Sequence, residues 1–157
     1  MDRIVTVSGD AIEEPGNFKV PFGMNQAELI EAAGGYKVDP EKIISGGPMM
    51  GFSMFTVDVP VTKTSSSILC FTKDEVAQYE PTACINCGRC VEVCPSRLIP
   101  SRLADYAEHH DEEAFTKHEG LECMECGSCS YVCPAKRQLK QAIGSMRKTA
   151  LANRKKK

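Results

Sequence analysis

The sequence predicts an α+β chain in two parts: a small mixed domain, then a helical, cysteine-rich domain that holds metal. Two observations carry this. Eight of the nine cysteines fall between Cys84 and Cys133, in two runs that repeat, while the first 80 residues contain only Cys70. Charge divides the chain the same way: residues 1–80 hold 12 acidic and 6 basic residues, whereas Ala135–Lys157 holds nine Lys or Arg and no acid. Segments with such different surfaces read as separate units.

The first part alternates strands with one helix. Arg3–Ser8 has strand periodicity and turns at Gly9-Asp10, and Asn17–Phe22 is a second short strand between Pro15-Gly16 and Gly23. Asn25 followed by Glu28 resembles a capping box, and Leu29, Ile30, Ala32 and Ala33 continue the helix to Gly34-Gly35. Strands are expected again at Lys42–Ser45, Ser53–Val57 and Ser67–Phe71. That order suits a sheet with one helix laid across it.

The second part contains a duplication. Cys84-Ile-Asn-Cys-Gly-Arg-Cys-Val-Glu-Val-Cys-Pro95 aligns with Cys123-Met-Glu-Cys-Gly-Ser-Cys-Ser-Tyr-Val-Cys-Pro134 at an offset of 39, with seven of twelve positions identical. Between the copies, Pro100–His110 is helical, with Leu103, Tyr106, Ala107 and His110 on one face. Asp111 can cap a further short helix and Gly120 is placed to stop it. Pro134 fits the first turn of a closing helix, on which Leu139, Ala142, Ile143, Met146 and Ala150 keep helical spacing.

Each copy reads C-x2-C-x2-C-x3-C-P. Three closely spaced cysteines on a curling loop reach three corners of an iron–sulfur cube, and in two-cluster proteins the fourth ligates the other cube. The spacing therefore assigns Cys84, Cys87, Cys90 and Cys133 to one [4Fe–4S] centre, and Cys123, Cys126, Cys129 and Cys94 to the second. Structural zinc is the competing reading, but it uses two separated C-x2-C pairs, whereas here a third cysteine follows at once in both copies. An odd cysteine count with no secretory leader speaks against a disulfide framework and for a reducing compartment. Two centres this close suit relay of single electrons and also staple a small fold. Gly88 and Gly127 are expected to let backbone approach sulfur. Helix starts after Cys94 and Cys133, with Arg89, Arg97, Lys136 and Arg137, are expected to offset the negative cluster charge.

Other features are plainer. Cys70 reads as a small buried hydrophobe on a strand. Ser45-Gly-Gly-Pro-Met-Met-Gly51 matches neither a dinucleotide fingerprint nor a P-loop and reads as turn chemistry. His109, His110 and His118 read as solvated helix positions. A 42% hydrophobic composition excludes disorder, and a net charge of −2 argues against nucleic-acid binding. The longest uncharged stretch, Ile43–Val57, is too short and too broken by glycine and proline to span a bilayer.

Three further stretches, Val5–Ala11 with Glu14-Pro-Gly16, Ser45–Gly51 and Asp58-Val-Pro-Val-Thr-Lys63, extend a resemblance over roughly residues 3–145. With the cysteine runs, they make the chain similar to the C-terminal part of the C subunit of Rnf-type ion-translocating ferredoxin:NAD⁺ oxidoreductase complexes. The resemblance implies a soluble-ligand-binding β-grasp (SLBB) domain at 1–72, a dicluster ferredoxin domain at 73–145 and a basic tail at 146–157. It implies other redox subunits of a membrane complex as partners, ferredoxin among them, and a peripheral place on the cytoplasmic side of the membrane. FMN and NADH are expected only on a missing or separate N-terminal module, because nothing here matches a flavin or NADH site. No catalytic residue is assigned to this chain. A cobalamin-reductase-type protein, which shares both pieces, and a non-redox binding module with structural metal are the alternatives.

Overall fold

The computed structural model describes residues 1–155 and divides the chain into two compact units, with the division between Gln78 and Tyr79. In the first unit, β1 (Asp2–Ser8), β2 (Gly16–Pro21), β3 (Lys42–Ser45), β4 (Phe52–Met54) and β5 (Ser67–Phe71) form one sheet in the order β2-β1-β5-β3-β4. β1 pairs antiparallel with β2 and parallel with β5, while β3 pairs antiparallel with both β5 and β4. Helix α1 (Gln26–Ala32) covers one face. The alternation predicted for β1 puts Val5 and Val7 into the core, where they join Leu29 and Ile30 of α1, Ile68 and Cys70 of β5, and Val61. Ile4, which precedes them, points to solvent.

Asn25 caps α1 as the sequence predicts, but not through a full capping box. Its Oδ1 accepts from the Ala27 N–H at 2.9 Å and its amide donates to Asp58 at 2.6 Å. The Gln26 N–H is taken by the Val59 carbonyl, so the helix start is held by the 58–61 segment. β4 is shorter than the expected Ser53–Val57: it ends at Met54, and Phe55 is fully exposed. At the Gly9 turn, φ is 123° and an added Cβ would run into the Cys70 carbonyl oxygen, so only glycine fits. Asp10 then accepts from both the N–H and the hydroxyl of Thr72, closing the turn onto the end of β5.

The second unit contains α2 (Arg89–Glu92), α3 (Pro100–Glu108), α4 (Glu112–Lys117), a 3₁₀ turn at Gly120–Glu122, α5 (Ser128–Tyr131) and α6 (Leu139–Arg154). Leu103, Ala104 and Ala107 of α3, Phe115 of α4, and Leu139, Ile143 and Met146 of α6 form its core, with Leu98. Cysteines 90, 94, 123, 129 and 133 pack against that core. α6 carries the closing helix into the stretch read as a basic tail: Met146 and Ala150 are buried, and Arg147 bonds the Leu121 carbonyl and Glu125. Lys156 and Lys157 of that stretch lie outside the described residues.

Three helix ends differ from expectation. α3 stops at Glu108, short of the expected Pro100–His110, and His110 lies beyond its end, left-handed with φ 56° and exposed as its solvated reading has it. Asp111 caps α4 as predicted, accepting from the Ala114 N–H at 2.9 Å. The left-handed residue that ends α4 is Glu119 (φ 60°), not Gly120. Gly120 is needed instead because a Cβ there would lie 2.5 Å from the buried Phe115 ring. Pro134 does not open the closing helix: it sits in a turn, and α6 begins at Leu139.

Candidate metal centres

The duplication is visible in the backbone. Left-handed residues occur at Asn86, Gly88 and Arg97 in the first copy and at Glu125, Gly127 and Lys136 in the second, each pair 39 positions apart. α3 and α6 start at the same offset. Gly88 and Gly127, with φ 78° and 83°, form the left-handed caps of α2 and α5. The glycine at that position answers to φ: the place of a Gly88 Cβ is open among the protein atoms. Each one-turn helix carries the third cysteine of its copy, and the fourth follows it in a turn rather than on a departing helix. The expected helix starts next to Cys94 and Cys133 are accordingly absent among the described residues. The Leu98 and Glu125 N–H groups that reach sulfur belong to loops, whereas those of Ser128 and Ser130 belong to α5.

Two small hollows open among these loops, of about 30 and 20 Å³. The first is lined by Cys84, Cys87, Cys90 and Cys133, and the second by Cys94, Cys123, Cys126 and Cys129. All eight sequence-predicted ligands line one or other of these hollows, three from one copy of the repeat and one from the other in each. Leu139 of α6 borders the first hollow, while Ile143 of α6 and Leu103 of α3 border the second. Cys84 and Cys87 are exposed and the other six thiols half-buried.

The donor chemistry fits a cluster. Backbone N–H groups of Leu98 and Glu125 reach the sulfurs of Cys94 and Cys123 at 3.4 Å. The Ser128 hydroxyl and N–H draw the Cys126 thiol below its usual pKa, whereas burial pushes Cys123 up and Cys129 up to about 11. Those buried thiols give up their protons readily only to a metal. Four cysteines line each hollow. A cube spreads its four thiolates over separate irons, whereas one zinc draws them to about 2.3 Å of a point.

The flanking cations divide. Arg89, Arg97 and Lys136 are exposed, and Lys136 lies 4.2 Å from the Tyr79 ring centroid. Arg137 borders the first hollow with its side chain only 11% exposed, bonding Asp105 at 2.8 Å and Glu108 at 3.0 Å. Cys70 is buried on β5 as predicted, and burial pushes its thiol up to about 11. The three histidines are exposed, and His118 stacks on Tyr106.

Comparison with known proteins finds a match for each unit. Residues 4–53 match the SLBB domain family and residues 83–137 match the 4Fe-4S dicluster domain family. Over 154 residues, 98% of its length, the chain is 43% identical to the C subunit of the Na(+)-translocating ferredoxin:NAD(+) oxidoreductase complex of Acetobacterium woodii, covering 35% of that protein. It is 47% identical, over 66% of its length, to the C subunit of the proton-translocating ferredoxin:NAD(+) oxidoreductase complex of Clostridium ljungdahlii, of which it covers 23%. With the C subunit of the ion-translocating oxidoreductase complex of Yersinia enterocolitica it shares 39% identity over 75% of its length and 17% of the relative's. The chain spans about a third or less of these relatives.

Fold and hollows together define a two-domain α+β protein, an SLBB domain followed by a 4Fe–4S dicluster domain that carries two [4Fe–4S] clusters. Over most of its length it is similar to one part of the C subunits of ion-translocating oxidoreductase complexes. No helix among the described residues is long and apolar enough to cross a membrane.

Proposed function

We propose that the chain passes single electrons through its two clusters as one part of a membrane-associated ferredoxin:NAD⁺ oxidoreductase. Cys84, Cys87, Cys90 and Cys133 hold one cluster, and Cys94, Cys123, Cys126 and Cys129 hold the other. The observation that supports this is the exchange of the fourth cysteine: each hollow draws three thiols from one copy of the repeat and one from the other. Bound there, each cluster supplies a one-electron centre.

The chain's own residues fix where those centres stand. The core of α3 and α6 lies against both hollows, so Leu103, Leu139 and Ile143 hold their separation. The Leu98 and Glu125 N–H groups bond the sulfurs of Cys94 and Cys123. Arg137 stands beside the first hollow as a positive charge tempered by two carboxylates. FMN and NADH belong to a module outside these residues. Ferredoxin and the other redox subunits of the complex are the partners, and the chain works peripherally on the cytoplasmic side of the membrane.

Anaerobic purification with iron and sulfide analysis, followed by dithionite reduction under EPR, tests the reading. About eight irons per chain and two reducible centres are expected. Colourless, zinc-loaded protein, or clusters that never reduce, would sink it.

A further inference from the structure

The sheet unit contains a cleft of about 610 Å³, within the range of small-molecule sites. Gln26 and Ser45 are the two buried polar side chains among the described residues, 3% and 8% exposed, and both line this cleft. Gln26 Oε1 is fully buried and has no hydrogen-bond partner among the described residues. Leaving such a group unpaired in the folded protein is costly. A half-turn of the carboxamide exchanges its oxygen and nitrogen, so Gln26 can offer the cleft an acceptor or a donor.

The walls are already in place. The Gly51 N–H bonds the Gly47 carbonyl at 2.7 Å, the Gly46 N–H bonds the Ser67 carbonyl at 2.8 Å, and a Cβ on Gly51 would lie 2.5 Å from the Gly47 oxygen. The loop that the sequence presents as plain turn chemistry is one side of the cleft. Phe52 and Phe55 stand exposed on its border, an apolar display at odds with an idle surface. Among the described residues lining it, none is charged, although a quarter of the chain's residues are.

We infer that this cleft binds a neutral, flat ring compound with an amide or lactam edge, independently of the clusters. Absence of charge on the walls selects against anions and cations. The phenylalanines supply faces for a ring. The Gln26 carboxamide and Ser45 hydroxyl pair with its polar edge, which meets the unpaired hydrogen bonding of Gln26.

The test is equilibrium dialysis of the anaerobic full chain against quinolin-2-one (a neutral lactam), quinoline (no amide) and 2-naphthoate (an anion). Quinolin-2-one is expected to saturate below about 1 mM, at least roughly fivefold tighter than the other two. Gln26→Leu is expected to remove that preference by weakening the lactam alone. Ser53→Trp, placed at an exposed lining position where it leaves the core intact, is expected to weaken all binding. Lack of saturable quinolin-2-one binding, or binding unchanged in both variants, overturns the inference. Iron content, read in the same samples, stays constant if the site is separate from the clusters.

Discussion

Cys94 lines the same hollow as Cys123, at the start of the second repeat, and not the hollow of its own neighbours Cys84, Cys87 and Cys90. The α2 turn that carries Cys90 ends before Cys94, so the fourth cysteine leaves on a different heading from the first three. Cys133→Ser should therefore damage the centre fed by the first repeat. Its EPR and iron loss should match those of Cys84→Ser and differ from those of Cys123→Ser. A match to Cys123→Ser would contradict the crossed assignment.

Gly120 tests the packing behind the second hollow. Phe115 is buried in the core that also receives Cys123, Cys129 and Cys133, and a Cβ at 120 would meet its ring at 2.5 Å. Overpacking of this kind costs about 1–3 kcal/mol. Gly120→Ala is expected to lower the unfolding free energy by that amount and to speed cluster loss. An unchanged denaturation midpoint would show that Phe115 has room to move.

What the sequence makes legible here is local. β3 and β5 have the expected bounds, Asn25 and Asp111 cap their helices, and all eight cysteines reach the hollows assigned to them. These follow from periodicity, cap chemistry and ligand spacing, which act over a few residues. The errors needed tertiary information. Gly120 reads as a helix stop until the Phe115 ring is seen against it, and Pro134 reads as a helix opener until Lys136 is found left-handed behind it. The Gln26 carboxamide is hidden for the same reason: at the start of a helix it reads as an ordinary polar residue. Only the fold buries it beside Ser45.

The last turns of α6 belong to the core energetically. Met146 and Ala150 are buried, and Arg147 ties the helix to the Leu121 carbonyl and to Glu125. Truncation after Ser145 removes all three, and loss of the Met146 side chain alone is worth about 2–5 kcal/mol. The shortened chain should lose its clusters on mild warming, whereas truncation after Lys155 should not. Equal cluster half-lives would mean that the tail contributes nothing to packing.

Acid sensitivity of the sheet unit should trace to two aspartates. The Thr72 hydroxyl and N–H hold Asp10 below the usual 3.8, and Lys42, at 2.6 Å, does the same for Asp74. Because both folded values lie below the unfolded one, the unfolded chain binds more protons in this range, so stability rises with pH. The contribution is fully present above about pH 4 and disappears as pH falls through the folded values. Asp10 is exposed and Asp74 half-buried, so solvent screening keeps the effect of Asp10 small and leaves more of it with Asp74. Amide exchange of β1 and β5 reports this unit apart from the acid-labile clusters. Between about pH 6 and pH 3 the wild-type chain should lose more protection there than Asp10→Asn/Asp74→Asn, because the variant has no carboxylate to protonate at either turn. Parallel losses in the two proteins would assign the acid sensitivity to other carboxylates of the unit.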